Sequence, residues 1–394
     1  MAWKVDWKVF VDGEDLTSAM RPFLISITIT DKDGTASDAC SLEFDDSGGQ
    51  LKLPAEKASV QVFLQSVSAF TGTVDRVRSR GARGSGRTLS VNAKGFDTKG
   101  KVKQAQSHHM DDATLQDFLD KSAKNAGLKS ITIDQAFAGI KRDYWSAAGE
   151  SFLHIGQKIA REIGGTFKIR GDQAVLAKRG QGMSATGQAL PTVVGVAPPP
   201  GEKTGNVINW DIAPITGRAK YAKTKARYFD RPSASFKEIE IETEIEADAT
   251  GEARTTVADE DQAKGVAEGR KTESERDGGA GSVDLDLEVL AQAEGTFILT
   301  GSREGVDGTY RIAGVTHKAT RSGGATTSLE LKQPSGSAGK DERKAGEGKS
   351  GSATADKAGT GADGKSSGSA ASSSAASKET YENYNRRYGT TDEN

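Results

Sequence analysis

The chain opens on an alternation of apolar and polar positions. Val5, Trp7, Val9 and Val11 fall on one side of an extended segment, and Asp12-Gly13 follows as a turn signal. Phe23, Ile25, Ile27 and Ile29 repeat the period and close on Asp33-Gly34. Cys40-Leu42-Phe44, Val60-Val62-Leu64 and the stretch from Phe70 to Val77 continue it. Arg78 to Arg87 reads RSRGARGSGR, a basic, glycine-rich hairpin or loop, and Leu89 to Ala93 resumes as strand. Short strands with Gly and Asp turns predict a β-barrel-like domain over residues 1–100.

The period then changes. Leu115, Phe118, Leu119 and Ala123 share a helical face, with Asp111, Asp112 and Thr114 as N-cap candidates and Gly127 as a C-cap candidate. Ile131 and Ile133 suggest a short strand. Phe152, Ile155, Ile159 and Ile163 recur at helical spacing over Ser151 to Ile163, and Gly164-Gly165 stops that helix. TFKIR and AVLAKRG follow as two strands around Gly171-Asp172. Residues 101–182 therefore read as an α+β middle domain.

Residues 183–205 hold Pro191 and the run Pro198-Pro199-Pro200 with little apolar period, and read as a linker or long loop. Strand patterns return over VINWDIAP, over the basic segment between Tyr221 and Tyr228, and over Phe236 to Ile245, where Ile239, Ile241 and Ile245 share a face. A polar helix spans Ala258 to Glu275. Val283 to Val289, Gly295 to Gly301, Thr309 to Lys318 and Thr326 to Leu331 complete a second β-rich domain, 206–333, with one helix. The fold class is therefore α+β and β-rich, two β-barrel-like domains around a helix-containing region.

After Pro334 no aliphatic side chain larger than Ala occurs through residue 394. Such a segment cannot bury enough apolar surface to offset its ordering entropy, which predicts a disordered tail. It ends in KETYENYNRRYGTTDEN, where Tyr381, Tyr384 and Tyr388 take helical spacing beside Arg386 and Arg387. That end reads either as a solvated tail or as a docking peptide that orders on a partner.

Composition narrows the function classes. A net charge of -2 argues against a chain-wide nucleic-acid binder. The lone Cys40 cannot form an internal disulfide; it reads as a small core residue, and a reducing cytosol is the expected folding compartment. The first residues carry no secretory pattern, and no apolar run is long enough to span a bilayer, so no stable membrane insertion is expected.

Candidate chemistry is sparse. His108-His109 with Asp111 and Asp112 is a loose metal-ligand set, but neighbouring residues give poor tetrahedral geometry and no CxxC or HExxH accompanies them. His154 reads as a helix-surface residue and His317 as a structural strand residue. Glu150 and Glu162 flank one helix about 18 Å apart, too far for a glycosidase acid pair. Arg78, Arg80, Arg83 and Arg87 form a basic patch without a phosphate-loop pattern; it reads as a solvated hairpin tip or as a contact to DNA or an acidic partner. No catalytic, cofactor-binding or metal residue is assigned, no cofactor is expected, and the chain is expected not to be an enzyme.

YWSAAGESFLHIGQKIAREIGGTFKIRGDQAVLAKRG, from Tyr144 to Gly180, resembles the core signature of the phage late control protein D family. Glu150, Ser151, Phe152, Leu153, Ile159, Ala160, Arg161, Gly164 and Gly171 carry the match. VFVDGEDLT at Val9 to Thr17 resembles the family's opening, and GTYRIAGVTHKATRSGGATTSLEL its closing strands. The resemblance implies a baseplate hub subunit of a contractile tail, similar to the hub of Mu-like phages and to the N-terminal part of type VI secretion spike proteins. It implies a homotrimer that adapts a hexameric tail tube protein to a trimeric central spike protein, with baseplate wedge and tape-measure proteins as neighbours. It also implies a channel for DNA or tape measure, and a virion location after assembly in the host cytoplasm. A tail-associated peptidoglycan hydrolase and a type VI-like spike protein are the alternatives. The first needs a convergent acid pair and the second a C-terminal β-helix.

Overall fold

The computed structural model describes residues 3–343 apart from 85, 218–220, 244–246 and 255. The first β-rich part carries β1 (Trp7–Val11), β2 (Glu14–Asp15), α1 (Thr17–Met20), β3 (Leu24–Lys32), β4 (Ala39–Asp45), β5 (Ser59–Leu64), β6 (Val67–Ala82) and β7 (Gly86–Lys94). The middle adds β8 (Ala105–Thr114), α2 (Leu115–Asn125), β9 (Ser130–Ile133), α3 (Gln135–Ala138), β10 (Lys141–Ser151), α4 (Phe152–Ile163), β11 (Gly165–Arg170) and β12 (Gln173–Lys178). Then come β13 (Thr192–Val196), β14 (Val207–Ala213), β15 (Lys223–Asp230), β16 (Ser235–Glu242), β17 (Thr250–Glu252) and α5 (Glu260–Arg276). β18 (Ala280–Asp286), β19 (Thr296–Thr300), β20 (Gly308–Thr320) and β21 (Gly324–Ser335) close the fold. This is the β-rich α+β class that the patterns predict.

The two β-rich parts are not separate sheets. One sheet runs β14-β18-β21-β20-β3-β4-β7-β6-β5-β1-β2, and the join is β20 against β3, antiparallel, with His317 opposite Ile29 and Ala319 opposite Ile27. Ala319 accordingly lies in the core of the first part, among Trp7, Ile27, Leu42, Phe44 and Val62. The second part has its own core of Val283, Leu285, Phe297, Tyr310, Ile312 and Leu329.

The middle part packs α2 and α4 on β11, β12 and β9 around Phe118, Leu119, Phe152, Ile155, Ile159 and Phe167. Its helices begin where the sequence supplies caps. Thr114 and Asp117 form a capping box on α2, the Ser151 side chain accepts the His154 N–H on α4, and α4 ends on Gly164 at φ 71°. Gly156 on α4 has no room for a side chain, since a Cβ there would stand 2.5 Å from the Phe167 ring.

Three segments depart from expectation. His108, His109, Asp111 and Asp112 lie inside β8, a strand that leads directly into α2, and Thr114, not Asp111 or Asp112, is the cap; the β8–β10 ribbon exposes one face, so its polar residues mask the strand period. The stretch 183–205, expected as a linker or loop, contains β13, which pairs in parallel with β19. Residues 334–343, expected in the tail, belong to the fold: β21 runs to Ser335, and Ala338 is buried in the second core. Ile245 and the Tyr381 to Tyr388 cluster lie outside the described residues.

A small fourth core joins β15, β16 and β17 to α5 through Ala226, Tyr228, Ala253, Ala263 and Ala267. Because the residues α5 buries are small apart from Arg276 at its end, it shows no strong apolar stripe, and it can approach α4 closely. A Cβ on Gly269 would stand 2.9 Å from both the Glu162 carbonyl oxygen and the Gly164 nitrogen.

Where the parts meet, charges are buried. Arg276, at the end of α5, is 3% exposed and pairs with Asp33, just past β3, and with Glu294 at 3.2 Å. Glu294 also accepts the Gly180 N–H at 2.7 Å. Lys168 on β11 contacts Asp31 and sits 3.1 Å from Asp38, while Arg170 reaches Asp38 at 3.0 Å. Burial opposes the charged forms here and raises the Asp38 carboxyl. The network ties the middle part and α5 to the strand that joins the two β-rich parts.

Candidate assembly surfaces

The residues that chemistry singled out are dispersed. His108 is half-buried and bonds Ser122 Oγ at 3.1 Å; burial and the nearby Lys121 ammonium hold its imidazolium below the usual range. His109 points the other way and stacks on Tyr144 at 5.9 Å. Glu150 is paired with Lys158 at 2.9 Å, and Glu162 with Arg142 at 2.6 Å and Gln262 at 2.8 Å. His154 is exposed on α4, and His317 is buried in β20 with Nδ1 3.0 Å from Thr327 Oγ1. Cys40 is a core residue whose thiol burial pushes up to about 12. Among the described residues no group of three or more His, Cys, Asp or Glu is placed to hold a metal, and no helix is long and apolar enough to cross a membrane.

What the fold does build is a surface. Eight strands, β14-β18-β21-β20-β3-β4-β7-β6, form one continuous antiparallel sheet. The register holds side-chain parity across all of them: Val207, Leu285, Thr327, His317, Ile29, Cys40, Ala93 and Val74 stand in one row. That face turns to the cores. The opposite face is polar from end to end, with Asp284, Ser328, Thr316, Thr30, Asn92 and Arg76 among its residues. A polar cleft of about 490 Å3 lies in it beside Arg76, Arg78 and Arg80.

The predicted basic loop is the end of the β6–β7 hairpin. Arg78 stands opposite Ser90 and Arg80 opposite Thr88, both arginines on the polar face. Among the described residues neither they nor Arg76 has a carboxylate within ion-pair distance. At the other end of the sheet β14 exposes Ile208 at 52% and Trp210 at 38%, with Asp211 exposed on the polar side. In the sequence VINWDIAP reads only as a strand. Its apolar 208, 210 and 212 against polar 209 and 211 was the available signal of a two-faced edge. A further apolar spot is the β15–β16 hairpin end, where Phe229 and Phe236 meet edge to face at 5.3 Å.

No protein-family profile matches the chain. Two curated proteins are similar to it in sequence. The "Probable baseplate hub protein" of Escherichia phage P2 is 27% identical over 193 residues, 48% of this chain and 49% of that protein. The protein of the same name from Escherichia phage 186 is 26% identical over 186 residues, covering 46% and 47%. The match thus spans about half the length of these relatives. Among solved structures, the tail protein from Neisseria meningitidis MC58 shares the fold with a TM-score of 0.61 at 15% identity, over 83% of this chain and 96% of that one. The tail protein of prophage MuSo2 from Shewanella oneidensis gives 0.59 at 15% identity, over 83% and 98%. In sequence, then, the chain is similar to phage baseplate hub proteins, and in fold to phage tail proteins, as the segment from Tyr144 to Gly180 implied.

Proposed function

We propose that the chain is a structural baseplate hub subunit of a contractile tail, that it works as a homotrimer, and that it is not an enzyme. The observation that carries this is the eight-strand sheet. Four of its strands come from each β-rich part, and the two sets meet edge to edge at β20 and β3. Three such chains around an axis present six similar four-stranded walls. That arrangement meets a six-fold tail tube with roughly equivalent contacts and a three-fold spike with exact ones. The polar sheet face suits a passage for DNA or a tape-measure protein. Wedge proteins fit the outer surface, and the location is the virion baseplate after assembly in the host cytoplasm. In this reading residues 1–100 form the first sheet-forming domain, 101–182 the middle domain, and the stretch from β13 through Ala338 the second sheet-forming domain.

Mass photometry of the purified chain, alone and with its spike protein, tests the reading. The expected species has three times the 41.4 kDa chain mass. A monomer under both conditions refutes it.

A further inference from the structure

One lysine lies buried among carboxylates where the middle part meets the first β-rich part. β11 turns Phe167 and Ile169 into the middle core, so strand alternation points Lys168 and Arg170 the opposite way. The Ile169 N–H donates to the Ala36 carbonyl at 2.7 Å, and the Gly171 N–H to the Gly95 carbonyl at 2.6 Å. These bonds fix β11 beside the turn between β3 and β4, and Lys168 meets Asp31 and Asp38 there. Its Nζ is in direct contact with Asp31 Oδ1 and lies 3.1 Å from Asp38 Oδ1. Lys168, Asp31 and Asp38 are only 13%, 13% and 15% exposed.

The two oxygens of Asp31 have different surroundings. Oδ2 accepts the Ala293 N–H at 3.0 Å. Oδ1 is buried and accepts no well-formed hydrogen bond; what it meets is the Lys168 nitrogen. A buried ion pair repays its desolvation only when further hydrogen bonds satisfy the remaining lone pairs, and Oδ1 has none.

We propose that Lys168 and Asp31 condense to an isopeptide bond that joins β11 covalently to β3. Nucleophile, carboxyl carbon and a second carboxyl group are held together by the backbone, which removes the entropy of bringing them into contact. Burial, with the Arg170 guanidinium nearby, lowers the Lys168 ammonium to about 7, so the free amine is available at neutral pH. Burial also raises the Asp38 carboxyl, which suits it to carry a proton. Transfer of one proton from the ammonium to Asp31 Oδ1 gives an amine and a carboxylic acid. Nζ then attacks Cγ, and Oδ2 takes the negative charge under the Ala293 N–H. Asp38 takes a proton from the nitrogen and delivers it to Oδ1. The Cγ–Oδ1 bond breaks, water leaves, and Oδ2 becomes the amide carbonyl. One N–C bond forms and one C–O bond breaks, with no oxidant or co-reactant. A cleft of about 580 Å3 lined by Asp31, Asp38 and Arg170 gives the water a way out.

The other charged contacts lack this combination. Arg276 lies equally deep between Asp33 and Glu294, but a guanidinium keeps its proton and is no nucleophile. Lys32 with Glu330 and Lys129 with Asp172 are exposed, so their ammonium groups stay hydrated and charged. The bond closes the chain between residues 31 and 168 and anchors the middle part on the strand that pairs with β20. It stands independently of the hub reading.

Intact-mass spectrometry of the purified full chain, unfolded after folding, tests the bond. The expected mass is one water below that of the sequence. Tryptic digestion should show no cleavage after Lys168 and a branched peptide linking Lys168 to Asp31. Lys168→Arg keeps a cation, removes the nucleophile and should restore the full mass. A water loss that persists in Lys168→Arg, as from a succinimide at Asp33-Gly34, overturns the proposal. Asp38→Ala keeps both bonded groups and should carry mostly the full mass; complete bonding there overturns the role given to Asp38. A native chain of full sequence mass, or a branch at Asp38 in place of Asp31, overturns the bond itself.

Discussion

Removing the Arg276 guanidinium tests how the parts of the molecule are held together. Arg276 is almost wholly enclosed and faces two carboxylates, Asp33 and Glu294. Arg276→Ala leaves both without their cation. Breaking a buried pair by removing one partner costs about 3–5 kcal/mol, most of it from the stranded charge. Asp33 is 21% exposed and regains water, while Glu294, 9% exposed, keeps the Gly180 N–H, the Thr166 hydroxyl and the attraction of the nearby Arg311 cation and of the charged form of Lys168. The loss therefore sits near the low end, about 3 kcal/mol. Arg276→Met combined with Glu294→Gln removes both charges at similar volume and should recover about 2 kcal/mol of it. Urea unfolding followed by tryptophan fluorescence gives the free energies. Hydrogen exchange at the Gly180 amide reports the junction locally. A loss below about 1 kcal/mol in Arg276→Ala, or a double variant no more stable than the single one, refutes the claim that this network joins the parts.

Stability should also depend on pH through His317. Burial pushes its imidazolium down from 6.5 to about 4. The unfolded chain therefore binds the proton first, so the stabilisation is complete above about 6.5 and is lost as pH falls toward about 4. About 3 kcal/mol is at stake, and His317→Gln should flatten that part of the stability profile. Gly269→Val places carbon where the α4–α5 approach leaves none, at an overpacking cost of about 1–3 kcal/mol; faster hydrogen exchange at the end of α4 is the expected readout. A chain ended after Gln333 loses the buried Ala338 and should melt several degrees below one ended after Arg343; equal melting temperatures would contradict the placement of residues 334–343.

Local pattern was legible where the two faces of an element differ. α4 was readable from Phe152, Ile155, Ile159 and Ile163 between Ser151 and Gly164, because cap, stripe and stop coincide. β8 was not, because the two-stranded β8–β10 ribbon is open to solvent and SHHMDD carries no apolar period. β13 escaped notice for another reason: five residues between proline-containing segments are too short to show a period, and its partner β19 lies a hundred residues further on. Glu150 and Glu162 form no acid pair, and the structure adds the physical reason that each serves a neighbouring cation.

The pairing of β20 with β3 is the step that sequence pattern could least supply. Alternation tells each strand which face is apolar; it is silent on which strand lies beside it. Joining Ile29 to His317 costs the closure of a loop of nearly three hundred residues, yet that entropy grows only as the logarithm of loop length, a few kcal/mol in all. The core contacts of Ile27, Ile29 and Ala319 repay it. Once the join forms, two half-sheets become one, their polar faces merge, and the remaining edges, β14 and the outer half of β6, are placed at its two ends. The buried Arg276–Asp33–Glu294 contacts lie beside that join and hold it against the middle part. Two half-sheets joined along a single strand pair need stiffness at the point where they meet, and there the fold concentrates its buried charge.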